Sequence, residues 1–308
     1  MNTTKATICV LGAGVLWGCI SLFVRALDAA GISSFEISAI RMGIGALGML
    51  LFLLVTDRSK LRIRLRDIGI FVCTGVVSVF LFNVCYFVCI TLSEASIAVV
   101  LLYTSPAWVM LMSAVFFRER ITRRKLVALF LTLSGCVLVA GVFGGSAHLT
   151  LVAMLFGAAS GLFYASYSIF GRIALQRYDA MTVTFYTLAF AFLGSLCGSD
   201  LGHIVGQLAL DPLMGLWYLG LGICCTMIPY VLYTTGLKHL ETSRAAILAT
   251  VEPVVGGLLG IFAYGESTDP LKLLGMACIL GAVFLANSNA GDTRKPGGSP
   301  RVRGELDV

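Results

Sequence analysis

Glu252 is the residue in this chain most able to do chemistry. It lies near the middle of the apolar run at 243–264, which is long enough to cross a bilayer. A carboxylate at that depth costs on the order of 3 kcal/mol on insertion scales, so it must face a cavity, find a partner or hold a proton. Two readings stand: a substrate or proton site, and a buried structural hydrogen bond. Arg41 sits within another apolar run, about a third of the way in. It snorkels outward, pairs structurally, or receives an anionic group such as a substrate carboxylate.

Proline gives a second signal. Pro106 and Pro253 interrupt apolar runs and free the carbonyls of Leu102 and Ala249; Pro229 frees that of Cys225. In lipid a freed carbonyl needs a neighbour or a wet cavity. Pro106 and Pro253 are therefore candidate hinges, with a kink satisfied by an adjacent helix as the plainer reading. The glycine-rich GAGVLWG near the start imitates a dinucleotide fingerprint, but no strand precedes it and no βαβ unit follows. Gly14 and Gly18 read instead as a helix-packing face.

These residues are positioned by a repeat. Residues 93–119 align without a gap on 240–266, at an offset of 147. The offset carries Glu94 to Glu241, Ser96 to Ser243, Pro106 to Pro253 and Glu119 to Glu266, and also Gly14 to Gly161, Arg25 to Arg172 and Tyr86 to Tyr233. The chain divides into a first half at 1–145, a second half at 146–290 and a tail at 291–308 that is rich in Gly, Pro and Arg and is expected to be disordered. If the halves are related by a two-fold axis in the membrane, paired positions face one central space. The candidate lining is then Trp17 with Tyr164, Asn83 with Tyr230, Tyr86 with Tyr233, and Ser105 with Glu252; Tyr103 and Tyr167 are weaker candidates. Each of these aromatics can equally be packing. Glu119 and Glu266 close their runs, and each is expected to hold the free amides at the start of the next helix.

Composition sets the class. Hydrophobic residues make up 58% of the chain and charged residues 12%, about half the charge of a soluble domain. Apolar runs recur throughout and predict ten membrane-spanning helices, near 7–27, 34–55, 67–90, 95–116, 124–143, 148–170, 180–198, 213–237, 243–264 and 271–288. The expected fold is an all-α integral membrane protein of two five-helix repeats. An odd number of spans per repeat turns the second copy upside down. Charge agrees: RERITRRK after the fourth span is basic, while its counterpart ESTDPLK after the ninth is not. Lysine and arginine concentrate on one side, which places both termini in the cytoplasm and suits a bacterial inner membrane.

The formal charge of +6 is no nucleic-acid signature, because the basic residues flank apolar runs. RSKLRIRLRD reads as a membrane-surface segment, with an effector or nucleic-acid arm as the lesser alternative. The cysteines lie almost all inside apolar runs and read as small hydrophobes. His148, His203 and His239 fall at separate helix ends, so neither a metal site nor a cofactor is expected.

Trp17-Gly18, Arg41, and the paired patterns Pro106…Glu119 and Glu252-Pro253…Gly265-Glu266 resemble the EamA-type branch of the drug/metabolite transporter superfamily. The resemblance covers nearly the whole chain except the tail. It implies ten helices in inverted repeats around a central cavity lined by the first, third, fourth, sixth, eighth and ninth. It also implies small organic solutes, often amino acids or related metabolites, and often export. One departure stands out: Leu188 occupies the position that matches Arg41, so no symmetric arginine role carries over. The resulting expectation is a carrier for a small molecule, working by alternating access through a midplane site, on a monomer scale with a dimer left open. A passive facilitator or channel is the first alternative. A membrane-embedded enzyme is the weaker one, since no catalytic cluster is present.

Overall fold

The computed structural model describes residues 1–141, 150–266 and 268–288. The tail at 291–308 and His148 lie outside the described residues. Those residues form an all-helical bundle, in which nine helices have the length and hydropathy to cross a membrane. They are α1 (Thr3–Ala29), α2 (Ser34–Thr56), α3 (Leu65–Leu92), α4 (Ala95–Phe117), α6 (Leu151–Ala174), α7 (Ala180–Gly198), α8 (Met214–Leu237), α9 (Thr242–Tyr264) and α10 (Pro270–Asn287). The remaining expected span is α5 (Arg123–Ala140). Arg123, Arg124 and Lys125 in its first turn set it apart from the nine, while its body packs along α10.

Packing follows the repeat. The first helix of each half lies on the other half: α1 packs on α8 and α9, and α6 packs on α3 and α4. Counterparts meet across the middle as α2 with α7 and α5 with α10. Five crossings per copy make these repeats inverted, so equivalent residues lie toward opposite faces. Large apolar side chains such as Val55, Val115, Phe130, Phe262 and Phe284 stay exposed on the outside, where lipid is the solvent.

The helices start at side-chain caps. Ser33 and Glu36 form a capping box on α2, Thr122 caps α5, Thr150 caps α6 and Asp269 caps α10. This corrects the expectation for Glu119 and Glu266, since neither caps the helix that follows it. A short helix, Leu201–Leu210, was not anticipated in the loop between α7 and α8. Its His203 Nδ1 lies 2.9 Å from Glu36 Oε1, so Glu36 is buried and paired. The basic loop after α2 docks on the second half through the Lys60 and Leu61 carbonyls, which accept from Thr182 and Tyr186, and through Asp67, which pairs with Arg177 and Tyr178.

α3 and α8 each contain one π-helical stretch, Cys73–Phe80 and Gly220–Met227. The two coincide at the 147-residue offset. Ser78 and Thr226 donate to the carbonyls five residues back, Cys73 and Leu221, at 2.9 Å each. Proline does not explain them both: Pro229 follows the second stretch, and Phe82 stands at that position after the first.

Candidate functional site, a central cavity between the halves

The geometry begins with the two broken helices. α4 runs Ala95–Leu102, turns, and resumes at Ser105–Phe117; α9 runs Thr242–Ala249 and resumes at Val251–Tyr264. Pro106 is the second residue of its resumed segment and Pro253 the third, both in the first turn, where a missing N–H is harmless. Local hydroxyls take up loosened carbonyls: Thr104 donates to Leu101 and Thr250 to Ile247. Glycine lets the neighbouring helix close over the breaks. A Cβ at Gly161 would stand 2.8 Å from the Leu101 carbonyl oxygen, and one at Gly14 2.7 Å from that of Ala249.

The break also explains how Glu252 is tolerated. It falls in the first turn of the resumed half of α9. Free amides and the positive end of the helix dipole lie there, which favour a negative charge. Ser105 occupies the same place in α4.

Between the breaks lies a cavity of about 80 Å³, several times the space one water needs. Glu252 and Arg41 both line it, with Trp17, Ser105, Tyr164, Tyr230 and Tyr233. Tyr103 and Tyr167, the weaker candidates, line it too. Arg41 donates from Nε to the Thr226 hydroxyl at 3.3 Å, which aims the guanidinium inward from α2. The Tyr164 hydroxyl lies 3.5 Å from Glu252 Oε2, a long contact with room to tighten or to admit another donor.

The aromatic wall is built across the halves. Trp17 meets Tyr230 edge-on at 5.5 Å and Tyr233 at 5.4 Å; Tyr167 meets Tyr230 at 5.3 Å. Two hydroxyls are engaged within the wall, Tyr233 with Ser168 and Tyr167 with Thr234, each at 2.7 Å. The wall thus offers ring faces and edges more than free hydroxyls.

Two candidates are not among the lining residues. Asn83 donates to Ser38 at 3.2 Å, and Tyr86 sits in tilted contact with Phe87 and with Phe82, which does line the cavity. α3 instead contributes Ser78, Val79 and Phe82. Ser78, bonded to Ser166 at 2.7 Å, was not singled out from sequence; its signal was a lone serine in an apolar run. Among the described residues no cluster of His, Cys, Asp and Glu could hold a metal ion.

Fold and cavity define a multi-pass helical membrane protein with a largely apolar, aromatic-walled chamber that Glu252 and Arg41 line, between two inverted repeats. The model of the EamA-like transporter family matches the chain twice, at residues 4–141 and 151–288. An uncharacterized transporter of Archaeoglobus fulgidus is 32% identical over 274 residues, covering 89% of this chain and 93% of the relative. The uncharacterized transporter YetK of Bacillus subtilis is 22% identical, covering 86% and 82%. A solved crystal structure superposes with a TM-score of 0.78 at 23% identity, covering 93% of this chain and 98% of its own. The chain belongs to the EamA-like transporter family, and it is a membrane transporter.

Proposed function

We propose that the protein moves a small organic solute, an amino acid or related metabolite, across a bacterial inner membrane in the direction of export. The cavity would open alternately to the two faces, with both termini in the cytoplasm. One observation supports this most: a carboxylate and a guanidinium, Glu252 and Arg41, line the same aromatic-walled cavity. A zwitterion presents an ammonium and a carboxylate, the two charges these side chains complement. Glu252 would take the ammonium or a coupling proton, Arg41 the carboxylate, and Trp17, Tyr164, Tyr230 and Tyr233 the apolar body, with cation–π attraction to any ammonium. Pro106 and Pro253 would be the hinges of α4 and α9.

The test is uptake and counterflow by purified protein in proteoliposomes, after a thermal-shift screen has supplied a ligand. Saturable counterflow separates a carrier from a passive facilitator or channel. Glu252→Gln should lower transport by at least about tenfold, a loss of roughly 1.4 kcal/mol of interaction. Unchanged affinity, rate and pH dependence in that variant would remove Glu252 from the mechanism.

A further inference from the structure

Besides Glu94 and Glu241, three charged residues recur at the repeat offset and form two triads: Glu119, Lys125 and Arg172 in one, and Glu266, Lys272 and Arg25 in the other. Inversion puts the sets at opposite membrane faces. Both glutamates start from the same backbone. Each follows a left-handed residue, Arg118 at φ 55° and Gly265 at φ 64°. Each N–H bonds the carbonyl six residues back, Glu119 to Ser113 at 3.2 Å and Glu266 to Gly260 at 3.1 Å. Their carboxylates therefore leave the chain alike, but they end on different partners.

Glu119 crosses to the second half. It accepts from the Thr242 amide at 2.6 Å, the Ser243 amide at 3.2 Å and the Ser243 hydroxyl at 2.6 Å. These are the first amides of α9 and have no acceptor within the helix. Arg172 does the complementary work, donating to the Leu237 carbonyl at 2.9 Å and to that of Leu240, at the end of α8. Lys125 bridges Glu119 and Glu241. The α8–α9 corner is clamped from both sides, and Thr242 and Ser243 are buried.

The other face is arranged differently. Glu266 pairs with Arg25 at 2.5 Å and with Lys272 at 2.8 Å. The α3–α4 corner receives neither residue. Among the described residues no side-chain hydrogen bond to the first amides of Ala95–Leu102 is found, Glu94 does not cap them, and Glu94 and Ala95 are exposed. Yet the corner keeps the receiving groups: Glu94 and Ser96 match Glu241 and Ser243.

We propose that the two triads are copies of one latch with two states, and that this structure holds one copy in each. In the closed state the glutamate caps the broken helix of the corner while the arginine holds the carbonyls before it. In the open state glutamate and arginine release the corner and pair with each other. Here the Glu119 face is shut and the Glu266 face is open. In the opposite conformation Glu266 caps Ala95 and Ser96, Arg25 holds the carbonyls of Ile90 and Ser93, and Glu119 pairs with Arg172. The inference rests on the alternating-access reading for its purpose, but its test needs no substrate.

Amide hydrogen exchange by mass spectrometry on the full chain in lipid nanodiscs reads both corners at once. Glu119→Gln should speed exchange at the start of α9 by about tenfold or more. It should also slow exchange at the start of α4 by at least about threefold, because weakening one latch shifts the population toward the other. Ser243→Ala leaves the carboxylate in place, so it guards against misfolding; it should produce the same pair of changes, smaller in size. Glu266→Gln should leave α9 as protected as in the parent or more so. Faster exchange at α9 with no change at α4, in both Glu119→Gln and Ser243→Ala, would make the triads independent caps and overturn the latch. Failure of the Glu252→Gln transport test would leave this outcome untouched.

Discussion

Gly161 and Leu101 meet backbone to backbone: a Cβ on the glycine would stand 2.8 Å from the leucine carbonyl oxygen and 2.8 Å from the Thr104 hydroxyl. The contact seals the break in α4 against α6, and Gly14 makes the equivalent contact on α9. Glycine is needed at both positions because the broken segment lies directly against the neighbouring backbone.

Gly161→Ala should therefore lower stability by about 1–3 kcal/mol, the range for overpacking a tight contact. Gly281→Ala is the control, since nothing lies within 4 Å of its added Cβ. That variant should be neutral or gain up to about 1 kcal/mol from helix propensity. Unfolding in mixed detergent micelles compares the two, and equal destabilisation would contradict the close approach.

Tyr167 and Thr234 tie α6 to α8 through a buried hydroxyl pair at 2.7 Å. Hydrogen bonds between membrane helices average about 0.6 kcal/mol and reach about 1.7. A double-mutant cycle of Tyr167→Phe and Thr234→Val should give a coupling of about 1 kcal/mol, because both residues are buried. Zero coupling would mean that each hydroxyl finds another partner.

Arg41 should discriminate ligands by charge. For a transported acid, Arg41→Gln should raise KM by at least about tenfold, or 1.4 kcal/mol. An uncharged ester of the same compound, if transported, should be affected little. Equal loss for both would assign Arg41 to holding Thr226 and the π-helical stretch of α8.

The Glu119 contact should survive mild acid. Burial pushes its carboxyl up, but bonds from the Ser243 hydroxyl and the Thr242 and Ser243 amides, with the charge of Lys125, outweigh this and hold it below the usual carboxylate range. A depressed folded pKa stabilises above the unfolded value of about 4.3 and is lost as pH falls through the lower folded value. Protection at the start of α9, corrected for intrinsic exchange, should thus be constant from about pH 8 to about pH 5 and fall only in stronger acid. Loss between about pH 7 and 6 would point to a different titrating group.

Much of this was legible because duplication is written at one register. The ten spans, the broken α4 and α9, and the lone acid beside Pro253 follow from residue type and spacing. Asn83 and Tyr86 are not among the lining residues, although their counterparts Tyr230 and Tyr233 are. A shared register fixes which helix carries a residue and how far along it, but not how that helix is rotated toward the common space. The partner of Glu119 was missed similarly. Local reasoning directed its carboxylate to the next helix, where Thr122 already caps, whereas its amides lie 123 and 124 residues away. Arg25 and Arg172 were visible as a repeated pair, but nothing local showed that they bind different groups.

The wide turns in α3 and α8 bear on ancestry. Each holds a residue more per turn than an ordinary helix would, and their first residues, Cys73 and Gly220, share one register. Two separate insertions at equivalent places would be a coincidence; inheritance needs only one. On that reading the irregularity is as old as the duplication itself, and both copies have kept it since.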